Sequence, residues 1–259
     1  GILTPLIALG LLVMVFIPGI GLEVNGATRW IKLGPLPNIQ VVDPARFLFL
    51  LYIAGYCFRQ QKQVEMNFVS FIKLMIFVIP ACILLLLQPD FGSTVVLLGI
   101  VAALFFVAGF KFRYFIVLIT ALASACWVLI VASGYRMDRV SSFLEPFKDP
   151  FGGGYQLANS QIAIGQGGWL GVGLGESIQK LGYLPQAYTD FIFAVIAEEL
   201  GMIGVLLVMG IYGLMVWRIF FISLEAIKNN RVFQGYLSFS IGIWITAQVM
   251  IHIGVNYGA

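Results

Sequence analysis

The feature that most constrains this chain is a succession of apolar runs, several of them close to 20 residues long. An α-helix of about 20 apolar residues is long enough to cross the roughly 30 Å hydrocarbon core of a membrane. Apolar residues make up 60% of the 259 positions and charged residues 10%. The runs are apolar on every face, whereas a membrane β-barrel alternates over segments of roughly ten residues. The sequence therefore predicts an all-α membrane protein with several crossings, whose helices satisfy their own backbone groups.

Polar breaks divide the chain into seven predicted crossings within a single transmembrane domain, 1–259. The crossings are 2–20, 44–58, 68–87, 91–109, 114–133, 191–216 and 232–253. Short loops rich in Lys and Arg face the cytoplasm. Three predicted connections carry such residues, namely Arg59, Lys62, Lys111, Arg113, Arg218, Lys228 and Arg231. The segments 21–43 and 134–190 are therefore predicted to be loops on the outer side.

The charge distribution argues against nucleic-acid binding, and the cysteine positions argue against a disulfide framework. The formal charge of +3 is spread thinly and forms no basic block, so nucleic acid is not an expected partner. Cys57, Cys82 and Cys126 lie inside apolar runs and are interpreted as packing residues. No metal-ligand pattern and no cofactor motif is evident.

The first outer segment has Arg29 next to Trp30 at its centre, with Lys32 nearby. On spacing alone the favoured interpretation is an interfacial anchor, since Trp is common at membrane surfaces. The alternative is that the two cations bind an anionic lipid head group while Trp30 forms a flat wall for a sugar ring. Both interpretations are open from the residues alone.

Three acidic positions near helix starts have simple structural interpretations. Asp43 and Arg46 are three residues apart and fit an ion pair along a helix. Asp90, in the tight turn that begins Gln88-Pro-Asp, is predicted to cap the next helix. Asp190 fits equally well as a helix cap or as a general base, if its carboxylate is partly desolvated by Phe191 and Tyr188.

Glu198 and Glu199 lie about 12–14 Å further along the same predicted helix. Carboxylates inside a crossing are costly, so both are candidates for a functional or supporting role. Before this helix, the glycine-rich stretch 162–178 completes no nucleotide-binding motif. It is predicted to form short helices at the membrane interface.

Several motifs occur in order along the chain and together resemble one family. They are Gly26-Ala-Thr-Arg-Trp-Ile, Gln88-Pro-Asp-Phe-Gly, Gly165-Gln-Gly-Gly, Gly171-Val-Gly-Leu-Gly, Tyr183-Leu-Pro, Thr189-Asp-Phe-Ile-Phe-Ala and Ala197-Glu-Glu-Leu-Gly. With this set the chain resembles the SEDS proteins of bacterial wall synthesis. The run Gly-Leu-Gly-x-Ser-x-Gln-Lys before Tyr183 is more similar to the cell-division branch than to the elongation branch.

The resemblance implies a SEDS-type helical bundle in the bacterial cytoplasmic (inner) membrane, with its active site on the periplasmic or outer face. It implies a peptidoglycan glycosyltransferase that polymerises lipid II during septal wall synthesis. The implied partners are a class B penicillin-binding protein and division-complex membrane proteins. The family has ten crossings, and this chain corresponds to the third through the ninth. The remaining crossings, and a family Pro-Thr-Lys-Gly loop with a supporting lysine, are expected to lie outside it.

The resemblance also assigns roles to residues. Asp190 matches the family's catalytic aspartate, and Arg29 and Trp30 match a pair that lines the site. Gln40, Asp43 and Arg46 align with a family pattern that has Glu and Lys at the last two positions. Three further positions depart from the family, namely Gly182, Gln186 and Tyr188.

The implied reaction joins a sugar 4-hydroxyl to the anomeric carbon of a second sugar and releases a polyprenyl diphosphate. Asp190 is expected to accept the hydroxyl proton. Arg29, with Arg46, Arg136 or Arg139 as further candidates, is expected to stabilise the leaving diphosphate. A divalent cation is a possible contributor. The alternatives are a lipid II flippase that uses Glu198 and Glu199, an elongation polymerase, and a non-catalytic scaffold for a wall synthase.

Overall fold

The computed structural model describes residues 1–24, 27–32, 38–60, 68–109, 145–185 and 187–258, together with single positions between 113 and 127. Most of the predicted crossing 114–133 lies outside these residues. So do several side chains singled out above, namely Lys62, Lys111, Cys126, Arg136, Arg139 and Gln186.

Within the described residues, helices dominate the fold. The seven α-helices are α1 (Leu3–Met14), α2 (Val42–Gln60), α3 (Phe68–Leu87), α4 (Phe91–Val107), α5 (Tyr155–Gly167), α6 (Ile192–Lys228) and α7 (Val232–Tyr257). Single turns of 3₁₀-helix cover Pro146–Lys148 and Gln179–Leu181. The prediction of an all-α membrane fold is confirmed.

Three helical spans are long and apolar enough to cross a membrane: Val69–Leu87, Ile192–Lys228 and Val232–Tyr257. The chain is a multi-pass membrane protein. The sixth predicted crossing ended at 216, but α6 continues to Lys228. Arg218 is therefore a helical residue rather than a loop residue, because the helix extends beyond its most apolar part.

The outer segment 21–43 was expected to be a loop but contains a three-stranded antiparallel sheet. Its strands are β1 (Gly21–Val24), β2 (Ala27–Ile31) and β3 (Ile39–Gln40), in the order β1-β2-β3. The sequence carries a signal for this hairpin, because Asn-Gly between two short strands is a strong turn dipeptide. The sheet holds both Arg29 and Trp30 on β2.

The chain forms two compact units. The first comprises 1–122 and 219–244, and the second comprises 123–218 and 245–259. The core of the first unit is built by apolar side chains of α1 to α4, including Phe49, Ile53 and Leu104. Cys57 and Cys82 are buried free thiols, as predicted for packing residues. A smaller core in the second unit contains Ala163, Leu184, Phe191 and Ala194.

Helix α6 is interrupted at Gly201, whose φ of 68° and ψ of −170° are not helical. The groups freed by the break bond to the glycine-rich segment. Val172 and Gly173 donate their N–H groups to the carbonyls of Glu198 and Glu199, at 2.9 and 3.1 Å. Beyond the break, the N–H of Met202 donates to the carbonyl of Gly168 at 2.9 Å. The break at Gly201 leaves backbone groups unpaired on both of its sides, and the glycine-rich segment supplies their hydrogen-bond partners.

This arrangement explains part of the glycine content and corrects the prediction for 162–178. A Cβ on Gly171 would collide with the Glu199 carbonyl, and one on Gly201 would collide with the backbone of Trp169 and Gly171. Helix α5 covers the first part of the stretch but ends at Gly167. The rest is not helical, because Gly168 and Gly171 adopt positive φ angles and the backbone docks against α6.

Candidate active site

Arg29 ties the outer sheet to the turn that precedes α4. Its Nε donates to the carbonyl of Gln88 at 3.1 Å, and its Nη2 donates to the carbonyl of Pro89 at 2.5 Å. The Gln88 side chain in turn donates to the carbonyl of Leu12 at 2.9 Å. Among the described side chains none forms an ion pair with Arg29. A guanidinium carries five N–H donors, so these two bonds leave donors for an anionic ligand.

Trp30 and Gln40 are neighbours in the sheet. Trp30 on β2 pairs with Leu22 of β1 and with Gln40 of β3. Both side chains are half-buried. Two of the positions that the family resemblance assigns to substrate binding are therefore brought together by strand pairing, although they are ten residues apart in sequence.

Arg46 belongs to a polar network that links α2 to the start of α4 and is buried except at Asp43. It forms an ion pair with Asp43 at 3.5 Å and donates to the Ser93 hydroxyl at 2.7 Å. That hydroxyl donates to Asp90 at 2.8 Å. The Arg46 guanidinium also lies 5.3 Å from the centre of the Trp244 ring, within the range of a cation–π interaction. We call Asp43, Arg46, Asp90 and Ser93 the arginine network.

The arginine network confirms two structural predictions. The predicted ion pair of Asp43 with Arg46 is present, and Asp90 caps α4 by accepting the N–H of Ser93 at 3.0 Å. Arg46 is only 5% exposed. Its charge is already engaged by the network, and a role in binding substrate stays a prediction.

Asp190 lies in the turn just before α6, and its environment is opposite to the buried environment of Arg46. Its side chain is exposed, and among the described residues no hydrogen bond or ion pair reaches the carboxylate. Of the two neighbours expected to desolvate it, Tyr188 is 73% exposed and Phe191 is buried. The cap interpretation is wrong, because α6 begins at Ile192 and the N–H of Ala194 bonds to a different side chain.

That side chain is Asn256, which the sequence analysis did not single out. Its Oδ1 accepts the N–H of Ala194 at 2.9 Å, and its Nδ2 donates to the carbonyl of Asp190 at 2.7 Å. Asn256 is fully buried near the end of α7. A polar residue close to the end of an apolar helix is a weak signal by itself, so only the fold reveals its partners.

A pocket of about 320 Å³ is lined by residues that precede Asp190 in the sequence. They are Lys180, Leu184, Ala187, Tyr188 and Thr189. The lining combines an ammonium group, a hydroxyl and an exposed aromatic ring. The hydroxyl and the aromatic face suit a sugar-like ligand, whereas the ammonium group is paired with Glu199.

Glu198 and Glu199 hold the loop that forms one wall of this pocket. Glu198 is 1% exposed and accepts the Ser177 hydroxyl at 2.5 Å and the N–H of Ile178 at 3.0 Å. Glu199 forms an ion pair with Lys180 at 2.6 Å. Both carboxylates are committed to fixing the segment 177–180 on α6, which favours the supporting role. In the described part of the chain no group of three His, Cys, Asp or Glu side chains could hold a metal ion.

Comparison with known proteins identifies relatives over almost the whole chain. A family model described as "Cell cycle protein" (FtsW, RodA and SpoVE) matches residues 2–259. Proteins named "Probable peptidoglycan glycosyltransferase FtsW" from Thioalkalivibrio sulfidiphilus and Legionella pneumophila are each 47% identical over 96% of this chain. The chain covers 62% and 63% of their lengths, and 49% of a relative of the same name from Alteromonas naphthalenivorans. It thus spans about half to just under two thirds of these relatives.

Solved structures show the same fold. One, described as the structural coordination of polymerization and crosslinking by a peptidoglycan synthase complex, is 29% identical with a TM-score of 0.74. The match covers 99% of this chain and 70% of that one. The rod shape determining protein RodA of Thermus thermophilus is 27% identical with a TM-score of 0.63, over 97% of this chain and 64% of that one.

Proposed function

The chain belongs to the FtsW, RodA and SpoVE family of cell cycle proteins, and from this premise we propose that it is a peptidoglycan glycosyltransferase that polymerises lipid II. The relatives at 47% identity that carry the name FtsW support the cell-division role over the elongation role. The single observation that carries the chemistry is the carboxylate of Asp190, which is exposed and bonded to no described group beside a polar pocket.

In the proposed reaction, the 4-hydroxyl oxygen of one sugar bonds to the anomeric carbon of another, whose bond to a polyprenyl diphosphate breaks. The hydroxyl loses its proton, and Asp190 accepts it. A general base is effective when its carboxylate is ionised and lies within hydrogen-bond reach of the hydroxyl. A carboxylate already engaged as a cap, such as Asp90, would have to break its own bonds first. Asp190 has no such bonds from the described residues.

The leaving diphosphate gains negative charge as the bond breaks, so a fixed cation lowers the barrier. Arg29 is the proposed cation. The bonds to the Gln88 and Pro89 carbonyls hold its guanidinium in place without neutralising it. Trp30 on the same strand supplies a flat apolar surface on which a sugar ring can stack.

A class B penicillin-binding protein is the proposed partner, together with division-complex membrane proteins. The similarity to a protein of a peptidoglycan synthase complex supports a partner that cross-links the new strands. The proposed location is the bacterial inner membrane with Asp190 on the outer face. The basic residues Arg59, Lys228 and Arg231, which lie at or next to helix ends predicted to face the cytoplasm, support this location.

The flippase alternative receives less support from the contacts. A proton relay through Glu198 and Glu199 needs carboxylates that exchange protons with a water path. Glu198 is instead buried against Ser177 and Ile178, and Glu199 is paired with Lys180. These bonds favour a role in holding the loop rather than in moving protons.

The test is polymerisation by the full protein, purified with its penicillin-binding partner and supplied with lipid II. We expect glycan polymer that forms in the presence of penicillin and is lost in Asp190→Ala. Asp149→Ala is the matched control, because Asp149 is also an exposed aspartate of the same outer segment; its carboxylate accepts the N–H of Gly153. Polymer from Asp190→Ala at the wild-type rate, at equal expression, would refute the proposal.

A further inference from the structure

Asn256 uses every hydrogen-bonding group of its amide on residues near Asp190 or on its own helix. Its Nδ2 donates to the carbonyls of Asp190 and His252, both at 2.7 Å, and its Oδ1 accepts the N–H of Ala194 at 2.9 Å. A primary amide has two N–H donors and an acceptor oxygen. If the amide oxygen and nitrogen of Asn256 were exchanged, the oxygen would face the carbonyls of Asp190 and His252, which cannot donate a hydrogen bond. The hydrogen-bond partners therefore determine which amide atom is the nitrogen.

These bonds hold the backbone on both sides of the start of α6. The Asp190 carbonyl lies before the helix, and the Ala194 N–H lies in its first turn. Only three residues separate them, so the two bonds together fix the backbone from which the Asp190 side chain projects. The carboxylate itself receives no bond from any described group, and its position is therefore set by its backbone.

The main chain at Asn256 is held separately from its side chain. The Ser160 hydroxyl of α5 donates to the Asn256 carbonyl at 2.8 Å, and the Gln161 amide donates to the Tyr257 carbonyl at 3.1 Å. Ser160 is also fully buried. The end of α7 therefore stays bonded to α5 when the Asn256 amide is removed. Ser160→Ala removes a buried hydrogen bond of the same residue without touching the contacts to Asp190 and Ala194.

We infer that Asn256 is a positioning residue for Asp190, and that its amide sets the direction in which the catalytic carboxylate projects. The catalytic part of this inference rests on the proposed function. Misplacing a reacting group by about 1 Å can cost on the order of 10²-fold in rate. Loss of the amide should therefore lower kcat much more than it weakens substrate binding.

The first test measures polymerisation of lipid II by the full protein with its partner. Asn256→Ala is expected to lower kcat by about 10²-fold with KM changed less than about twofold, whereas Ser160→Ala keeps kcat within about twofold of wild type. In an Asp190→Asn background, Asn256→Ala should cause no further loss, because it acts through the missing carboxylate. Equal kcat losses in Asn256→Ala and Ser160→Ala, or losses that multiply in the double variant, would overturn the inference.

The second test does not depend on activity. Backbone amide exchange across 190–194 should accelerate in Asn256→Ala and stay unchanged in Ser160→Ala. Unchanged exchange in both variants would overturn the inference, whatever the polymer yield. If the wild type makes no polymer, the proposed function fails. The amide-exchange result alone then shows whether Asn256 holds the backbone at 190–194. If Asn256→Ala does not fold, Asn256→Asp replaces it, since it keeps the shape and the acceptor for Ala194 but loses both donors.

Discussion

Asp90 and Asp190 both stand in a turn just before a helix, yet their environments differ. Asp90 is 7% exposed and accepts bonds from the backbone and the hydroxyl of Ser93, through which it joins Arg46. Asp190 is exposed, and no described group bonds its carboxylate. The first aspartate is part of the framework and the second is available to a ligand.

The difference arises from what satisfies the helix start. The first N–H groups of a helix need acceptors. For α4 the acceptor is the preceding aspartate itself, whereas for α6 it is Asn256, which comes from the far end of α7. A cap supplied by another helix releases the local carboxylate for chemistry. Four predictions test this comparison.

The largest effect is expected for Asp190→Asn. Loss of a general base costs roughly 10²–10⁴ in rate, and no described residue bonds the side chain, so its replacement removes no contact of the described fold. Polymer yield should therefore collapse while the thermal midpoint stays at the wild-type value. A measured drop in that midpoint would show that Asp190 has a structural partner, and the contrast with Asp90 would fail.

Glu198 should behave as a buried framework carboxylate. Glu198→Ala leaves the Ser177 hydroxyl and the Ile178 N–H without an acceptor, at about 1–3 kcal/mol for each group in the free energy of unfolding. Glu198→Gln keeps an acceptor and should be milder. Denaturation of both variants measures this difference. A polymerisation assay should find Glu198→Gln active. If the protein were instead a flippase, head-group translocation in liposomes would be lost equally in Glu198→Gln and Glu198→Ala.

Arg29 combines both kinds of environment, because it bonds the framework and has donors left for a ligand. Arg29→Ala removes two bonds to carbonyls from a half-buried guanidinium, which should cost about 1.5 kcal/mol in stability, and should also weaken activity. Arg29→Lys should restore part of the activity, since an ammonium supplies a point charge without the bidentate geometry. A titration of lipid II with both variants measures this. Activities equal to wild type would leave Arg29 as an anchor only.

The smallest effect on polymerisation is expected at Asp90. Asp90→Ala removes the cap of α4 and leaves the buried N–H and hydroxyl of Ser93 without their acceptor, at about 1–3 kcal/mol for each group in the free energy of unfolding. The remaining folded protein should polymerise lipid II at the wild-type rate. A loss of rate per folded molecule would place the arginine network in the reaction rather than in the framework.

Much of the fold and part of the site could be predicted from local sequence. Periodicity and length placed helices at 68–87 and 232–253 within a few residues of α3 and α7, because an apolar run that spans a membrane has no alternative to a helix. The ion pair of Asp43 with Arg46 followed from their spacing of three residues, and the cap at Asp90 followed from its place in a tight turn before a helix. The sheet at 21–40 was missed because the segment was interpreted as a glycine-rich outer loop, although the dipeptide Asn-Gly in its sequence favours a hairpin.

By itself the sequence determined the membrane class, the helical architecture, the family and the identity of Asp190 as the candidate base, because these depend on composition, periodicity and motifs along the chain. The tertiary structure decided which carboxylates are free. Glu198, Glu199 and Asp90 are bonded within the fold, whereas no described group bonds the Asp190 carboxylate, because Asn256 supplies the acceptor at the start of α6. That assignment depends on two residues 66 positions apart meeting in space, which no local pattern encodes.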